Sequence, residues 1–429
     1  MKKVLAIAPF FIVCSYVSAQ DINTIINAKE VARIEKILSA DDMQGRRTFT
    51  PAADKAAAFI ADEFKKTGLL TLNNSGTYLQ NFAMVKAKFI SANCTFDGAV
   101  AETKNVIVVT SKPEIAITEK SGYPKVQIPA SANLFSEARK YIQSGKNYVV
   151  IVDTAFTKNF SRLTGLKNVI FKSESSVVFV LSATNPATFS IEAKHDITEQ
   201  KLANVVGVLP GKSKITEYVI FSGHYDHLGI STPRDGGKDS IYNGANDDAA
   251  GITAVISLAK YYKALHNNER TLVFAAFTAE EVGGFGAQYF SKQFNPEQVM
   301  AMFNIEMIGT ESKWGTNSAY ITGYEKTDMG KMLQSNLQGS AFTFYPDPYT
   351  KENLFYRSDN ATLARLGVPA HTISTSKMDN EPNYHKVSDE IGTLDMNNMA
   401  EIIKAIATSA KGIVAGKETP TRVDIKNLN

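Results

Sequence analysis

Apolar positions change their spacing several times along the chain, and each change marks an element. Val31, Ile34, Ile37 and Leu38 recur at helical intervals. A second helix is expected after Thr50, a capping residue, with Pro51 in its first turn, Phe59, Ile60 and Phe64 on one face, and Gly68 as its stop. From about residue 86 to 200 the texture becomes short apolar runs, Val106–Thr110, Tyr148–Val152 and Val177–Val180, separated by Pro, Gly, Ser and Lys. One amphipathic helix, Ala132 to Gln143, interrupts them, and the stretch reads as a separate small β-rich domain.

Beyond Asn204 the pattern alternates between buried-type strands and helices. Strands are expected at Tyr218–Ser222, Thr271–Phe277, Met302–Met307 and Val368–Ile373. Helices are expected at Ala249–Leu265, Gly286–Phe294, Met329–Leu337, Ala361–Leu366 and Met396–Ile413. Such alternation predicts an α/β fold, a mixed and mostly parallel sheet with helices on both faces. Ligands of these sheets gather beyond the carboxyl ends of the strands.

At 429 residues the chain is long enough for two or three domains. The expected division is a signal peptide at 1–19, an N-terminal segment of the main domain at 20–85, an inserted β-rich domain at 86–200, and the main domain at 201–429. Lys2-Lys3, the apolar stretch Val4 to Val13 and the small residues before Gln20 carry the signal pattern, which predicts export to the periplasm or the medium and no membrane span after cleavage. Cys94 is then the one remaining cysteine, so no internal disulfide is available. With 46 basic and 43 acidic side chains the net charge is +3, too weak a field to imply a nucleic-acid partner.

Three polar clusters interrupt the apolar pattern at strand ends. His224 follows the run Val219-Ile220-Phe221-Ser222-Gly223, and Asp226 stands two residues on, suited to orienting an imidazole. Gly244-Ala245-Asn246-Asp247-Asp248-Ala249-Ala250-Gly251 is an acidic, glycine-framed turn opening a helix, where capping accounts for one aspartate but not a pair. Glu280-Glu281 ends an apolar strand before Gly283-Gly284, and such a pair allows one carboxylate to bind metal while the other moves a proton. Glu306 is a lone charge in an apolar strand, and a buried carboxylate needs a metal or an ion pair. His385 sits in a polar loop with Tyr384 before it and Asp389 after it.

Taken together these residues resemble the M28 family of zinc aminopeptidases. The likeness runs over Ser222–Asp226, Gly244–Gly251, Ala279–Glu281, Asn304–Gly309 and Tyr384, His385 and Asp389, with Asn204–Gly211 as the opening strand of the main domain. The resemblance implies two zinc ions, one held by His224, Asp247 and Glu306 and the other by Asp247, Glu281 and His385, with Asp247 as the bridge. It implies Glu280 as general base, Asp226 as the orienter of His224, and Tyr384 as a donor to the oxyanion. Glu306 stands where the family most often carries aspartate. The family's insert is often a protease-associated domain, the version implied for residues 86–200.

The implied reaction is hydrolysis of the N-terminal bond of a peptide with a free amine, through a metal-activated water. Glutaminyl cyclases share the scaffold and use one zinc; a dipeptidase, a carboxypeptidase or a relative without catalysis are the other readings. Oligomeric state is left open. Of the remaining histidines, His227 reads as a pocket-wall or loop residue, His371 as a packed strand residue, and His195 as a solvated loop residue. Gly45-Arg46-Arg47 reads as a loop pinned by hydrogen bonds. The aromatics Phe342, Phe344, Tyr345, Tyr349, Phe355 and Tyr356 fit either a specificity pocket or a packed core.

Overall fold

The computed structural model describes residues 21–232 and 238–427, so the expected signal segment 1–19 lies outside the described residues. Two compact units emerge among the described residues, one formed by those up to Gln80 with those from Asn204 onward and the other by Asn81–Ala203. Among the described residues no helix is long and apolar enough to cross a membrane.

In the first unit a mixed sheet carries the strands in the order Thr343–Pro346, Ser318–Ile321, Ala370–Ser374, Val299–Ile305, Lys214–His224, Arg270–Phe277 and the end of Phe189–Leu209. Lys214–His224 is parallel to both of its neighbours, whereas Val205–Leu209 runs antiparallel to Arg270–Phe277. The central strands are apolar on both faces because each face is covered. Val219, Phe221, Leu272, Phe274, Ala301 and Phe303 join one core with helices Ala28–Leu38, Pro51–Thr67, Ala250–Leu265 and Met396–Ser409. Ile220, Val273, Ala275 and Met302 join the other with Phe290 of helix Phe285–Ser291 and Leu363 of helix Ala361–Ala364.

Phe221 anchors the first core. Its ring stacks on Phe303 at 4.9 Å, on Tyr262 at 5.4 Å and on Phe274 at 5.7 Å. Truncating such a ring typically costs about 3–5 kcal/mol, because a cavity is added to the lost transfer energy. These layers hold the carboxyl ends of three parallel strands rigidly side by side.

The helix Pro51–Thr67 begins and ends where proline and glycine predict, with Gly68 left-handed at φ 75°. Thr50 does not cap it, because its hydroxyl donates to the Arg47 carbonyl at 2.6 Å. The short strands Ser318–Ile321 and Thr343–Pro346 have no counterpart in the sequence expectation. They place Phe344 in the first core with Phe342, and Phe355 lies in the second, so these aromatics pack rather than line a pocket. Tyr345 is half-buried and stacks on Trp314 at 4.1 Å.

The second unit has its own sheet, in the order Val106–Val109, Val177–Leu181, Tyr148–Val152 and Lys125–Ile128. Helix Leu134–Gln143 packs against one face of it through Leu134 and Ala138. His195 is buried here, 3% exposed, on strand Phe189–Leu209 with its ring edge-on to Phe89. This corrects the solvated loop expected for it. The strand alternates Ile191, Ala193 and His195 inward, and burial pushes the imidazole down to about 4.

Candidate metal centre

Parallel register brings the chemistry to one line. His224 is the last residue of its strand and stands level with Phe277, while Ser222 stands level with Asn304. Glu280 and Glu281 therefore follow on one side of His224, and Glu306, two residues past Asn304, arrives on the other. Asp247 comes from the turn before helix Ala250–Leu265, and His385 from the loop before Met396–Ser409. Three non-glycine residues here hold left-handed backbones: Ala279 at φ 61°, Met307 at 53° and His385 at 55°. Conformations of this kind persist where surrounding contacts enforce them.

Asp247 is the hub. Its Oδ1 lies 3.2 Å from His224 Nε2, and its Oδ2 lies 3.2 Å from His385 Nε2. Glu281 Oε2 is 3.3 Å from the same His385 nitrogen. His224, Asp247 and Glu306 offer one set of ligand atoms close enough to share an ion, and His227, Asp247 and Glu281 offer another. Of the residues expected from the sequence, the fold thus brings His224, Asp247, Glu281, Glu306 and His385 together, with Glu280 beside them. His371 is apart, buried in its strand between Thr327 Oγ1 and the Thr322 carbonyl.

Support for this hub comes from residues that touch no ligand face. Asp248 accepts from the backbone N–H groups of His224, Gly251 and Met307, at 3.2, 3.0 and 3.1 Å. The adjacent aspartates therefore divide into one facing the histidines and one fastening three backbones. Gly251 permits this approach, since a Cβ there would stand 2.1 Å from the Ile305 carbonyl. Asp389 accepts from Asn246 N at 2.9 Å and Asp247 N at 3.0 Å. Arg46 is buried and donates to the carbonyls of Tyr225, Leu38, Asn243 and Gly244 at 2.5–2.8 Å.

Asp226 acts differently from the expected carboxylate–imidazole pair. His224 Nδ1 faces the Asp226 carbonyl at 3.0 Å, and the carboxylate Oδ1 is 3.9 Å away. That carboxylate instead accepts from Thr48 Oγ1 at 2.6 Å and from Glu280 N at 3.0 Å, which fixes the backbone of the glutamate. The Tyr384 ring stacks on His385 at 3.9 Å.

The charge balance is unusual. Asp226, Asp247 and Glu281 have imidazoles as their ion-pair partners among the described residues. Burial pushes Glu280 well above its usual value, and the charges of Glu306, Asp359 and Glu281 add to this against His224. Glu306 is raised by burial as well. Asp359, which no sequence signal singled out, is buried with both oxygens lacking a hydrogen-bond partner among the described residues; burial first, then Glu306 and Asp226, push it up to about 8. His224 Nε2 and Glu306 Oε2 are likewise buried without hydrogen-bond partners among the described residues. Orphaned imidazole nitrogen and carboxylate oxygen aimed into one acidic space are the donor set for zinc.

The sequence profile of peptidase family M28 matches residues 204–410, a range that contains all of these ligand candidates. Residues 204–410 belong to peptidase family M28. A probable zinc metalloprotease from Pyrenophora teres f. teres is 36% identical over 110 residues, 25% of this chain and 23% of that protein. A vacuolar membrane protease from Vanderwaltozyma polyspora is 26% identical over 192 residues, 44% of this chain and 18% of that protein. The matches thus span less than a quarter of the length of these curated relatives. The chain shares its fold with an aminopeptidase from Aneurinibacillus sp. strain AM-1, at a TM-score of 0.54 and 16% identity over 95% of this chain and 98% of the other. A zinc aminopeptidase from Bacillus subtilis matches at 0.54 and 15% identity, over 94% and 97% of the two chains.

Proposed function

We propose that the protein is an exported aminopeptidase that hydrolyses the N-terminal bond of peptides with two zinc ions. The observation that carries this reading is the split of Asp247, one carboxylate oxygen 3.2 Å from His224 and the other 3.2 Å from His385. His224, Asp247 and Glu306 would hold one ion, and Asp247, Glu281 and His385 the other. Zinc held there supplies Lewis-acid polarisation of a carbonyl and lowers the pKa of water.

The remaining steps belong to the side chains. Glu280, partly open to solvent and raised by its buried surroundings, takes the proton of the attacking water and returns it to the leaving amine. Its backbone is fixed by Asp226, so the carboxyl is held ready rather than found by search. The hydroxyl of Tyr384 donates to the oxygen that gains charge. The choice of aminopeptidase is supported by the likeness of the fold to solved aminopeptidases.

The test is zinc content of the purified protein, together with hydrolysis of free and N-acetylated aminoacyl substrates before and after chelation. Two zinc ions, cleavage of free substrates alone and loss on chelation are expected. Equal cleavage of acetylated substrates would overturn the aminopeptidase reading. Pyroglutamyl product from an N-terminal glutamine would favour a cyclase. Export is checked separately, by sequencing the mature N-terminus, expected at Gln20.

A further inference from the structure

His227 stands in neither ligand set proposed above, yet it is buried at their edge. A zinc bond to imidazole nitrogen or carboxylate oxygen is about 2.0–2.2 Å, so two ligands of one tetrahedral ion stand roughly 3.3–3.5 Å apart. The His224–Asp247, His385–Asp247 and His385–Glu281 separations of 3.2, 3.2 and 3.3 Å agree with that spacing. His227 departs from it in both directions. Its Nδ1 is 3.8 Å from Asp247 Oδ2 and 2.8 Å from Glu281 Oε1.

The shorter distance is that of a hydrogen bond. An ionised carboxylate only accepts, so the proton belongs to Nδ1. Glu281 thus has a different imidazole on each oxygen: His227 on Oε1 and His385 on Oε2. His227 Nε2 is buried and has no hydrogen-bond partner among the described residues, so the ring's own hydrogen bond is the one from Nδ1 to Glu281.

The ring is held from behind. The His227 backbone N–H donates to the Arg46 carbonyl at 3.4 Å, and His227 forms a parallel bridge with Arg47. Gly244 clears the space for the ring, since a Cβ there would fall 2.5 Å from two of its carbons. We infer that His227 is the positioning residue of Glu281, its Nδ1–H holding Oε1 so that Oε2 is presented to the second zinc site. This assignment rests on the two-zinc reading. Groups that orient a metal ligand commonly change metal affinity 10–100-fold when removed.

The test is titration of the metal-free protein with cobalt(II), followed by visible absorption, on wild type and three variants at one pH. His227→Ala is expected to weaken the second binding step about 10–100-fold while the first step and its absorption band are unchanged. His227→Asn, whose side-chain N–H occupies the place of Nδ1–H, is expected to return affinity to within a few-fold of wild type. His227→Gln, whose amide reaches the place of Nε2, is expected to bind like the alanine variant. Weak binding by His227→Asn, equal to His227→Gln, would make His227 a direct ligand and overturn the inference, as would two wild-type steps in His227→Ala. Should the alanine variant fail to fold, the asparagine and glutamine pair decides. A wild-type protein with a single cobalt step would overturn the two-zinc reading itself.

Discussion

Asp389 accepts the backbone N–H of Asp247 at 3.0 Å across 142 positions of sequence, and its other oxygen takes the N–H of Asn246 at 2.9 Å. One carboxylate thereby joins the loop of His385 to the turn of Asp247. The two sides of the cluster formed by Asp247, Glu281 and His385 are thus fastened to each other by the protein itself. Asp389→Ala leaves two buried amides without acceptors, at about 1–3 kcal/mol each. The expected result is a stability loss of a few kcal/mol in the metal-free protein and weaker zinc retention. Urea unfolding in the presence of a chelator measures the first directly; an unchanged midpoint would show that the fastening is unimportant.

Glu280 and Glu281 are adjacent in sequence and different in surroundings. Glu281 faces His385 and His227, whereas Glu280 has its backbone tied to Asp226. Glu280→Gln is expected to keep the zinc content of the wild type and, if Glu280 is the general base proposed above, to lose about 10²–10⁴-fold in turnover. Glu281→Gln is expected to lose zinc. Metal analysis beside steady-state kinetics separates the two, and equal zinc loss in both variants would sink the division of roles.

Much of this was legible in the sequence for a physical reason. Strands covered on both faces must be apolar throughout, so a charge at the end of such a run, as at His224, Glu281 or Glu306, stands out. Arg46 does pin loops by hydrogen bonds, as its setting in Gly45-Arg46-Arg47 predicts, but which segments it pins was not legible, because its partners are backbone carbonyls up to 198 residues away and carry no residue signature. The Asp226 carbonyl was invisible for the same reason. Strands of four residues such as Ser318–Ile321 and Thr343–Pro346 are too short to establish a period. His195 was misread because it lies on a polar-alternating strand whose inward side is decided by packing. Asp359 sits in a polar run, Ser358-Asp359-Asn360, that resembles any solvated turn.

Arg46 should matter to the metal centre without touching it. Its guanidinium holds the carbonyls of Tyr225, between His224 and Asp226, and of Asn243 and Gly244, before Asp247. Arg46→Met keeps the unbranched apolar stem and removes the donor from four buried carbonyls, of which that of Gly244 retains the backbone N–H of Ala249. A loss of at least about 3 kcal/mol in stability is expected, since hydrogen bonds to charged groups are worth about 1.5–3 kcal/mol each and are not additive. Arg46→Lys recovers only part of it, because one ammonium cannot reproduce the planar fork. Denaturant midpoints for the three proteins check the order wild type, lysine, methionine.

The N-terminal helices supply a pH dependence that is independent of the metals. Glu63 has a side chain only 2% exposed, 2.7 Å from Lys260 Nζ, and Arg33 bonds it from the neighbouring helix. Burial works against its ionisation, but the bonds from Lys260 and Arg33 prevail and hold the carboxyl down at about 2, against 4.5 for the free group. A carboxyl depressed in the folded state contributes stability in full above its unfolded value and loses it as pH falls through the folded value. The window is therefore roughly pH 4.5 down to 2, with a contribution on the order of 3 kcal/mol at neutral pH. Comparing wild type with Glu63→Gln cancels the other titrating groups. The stability gap between them is expected to be constant from neutral pH to about 5 and to shrink below 4.5. A gap that stays constant down to pH 3 would show that Lys260 and Arg33 do not hold the ionised form.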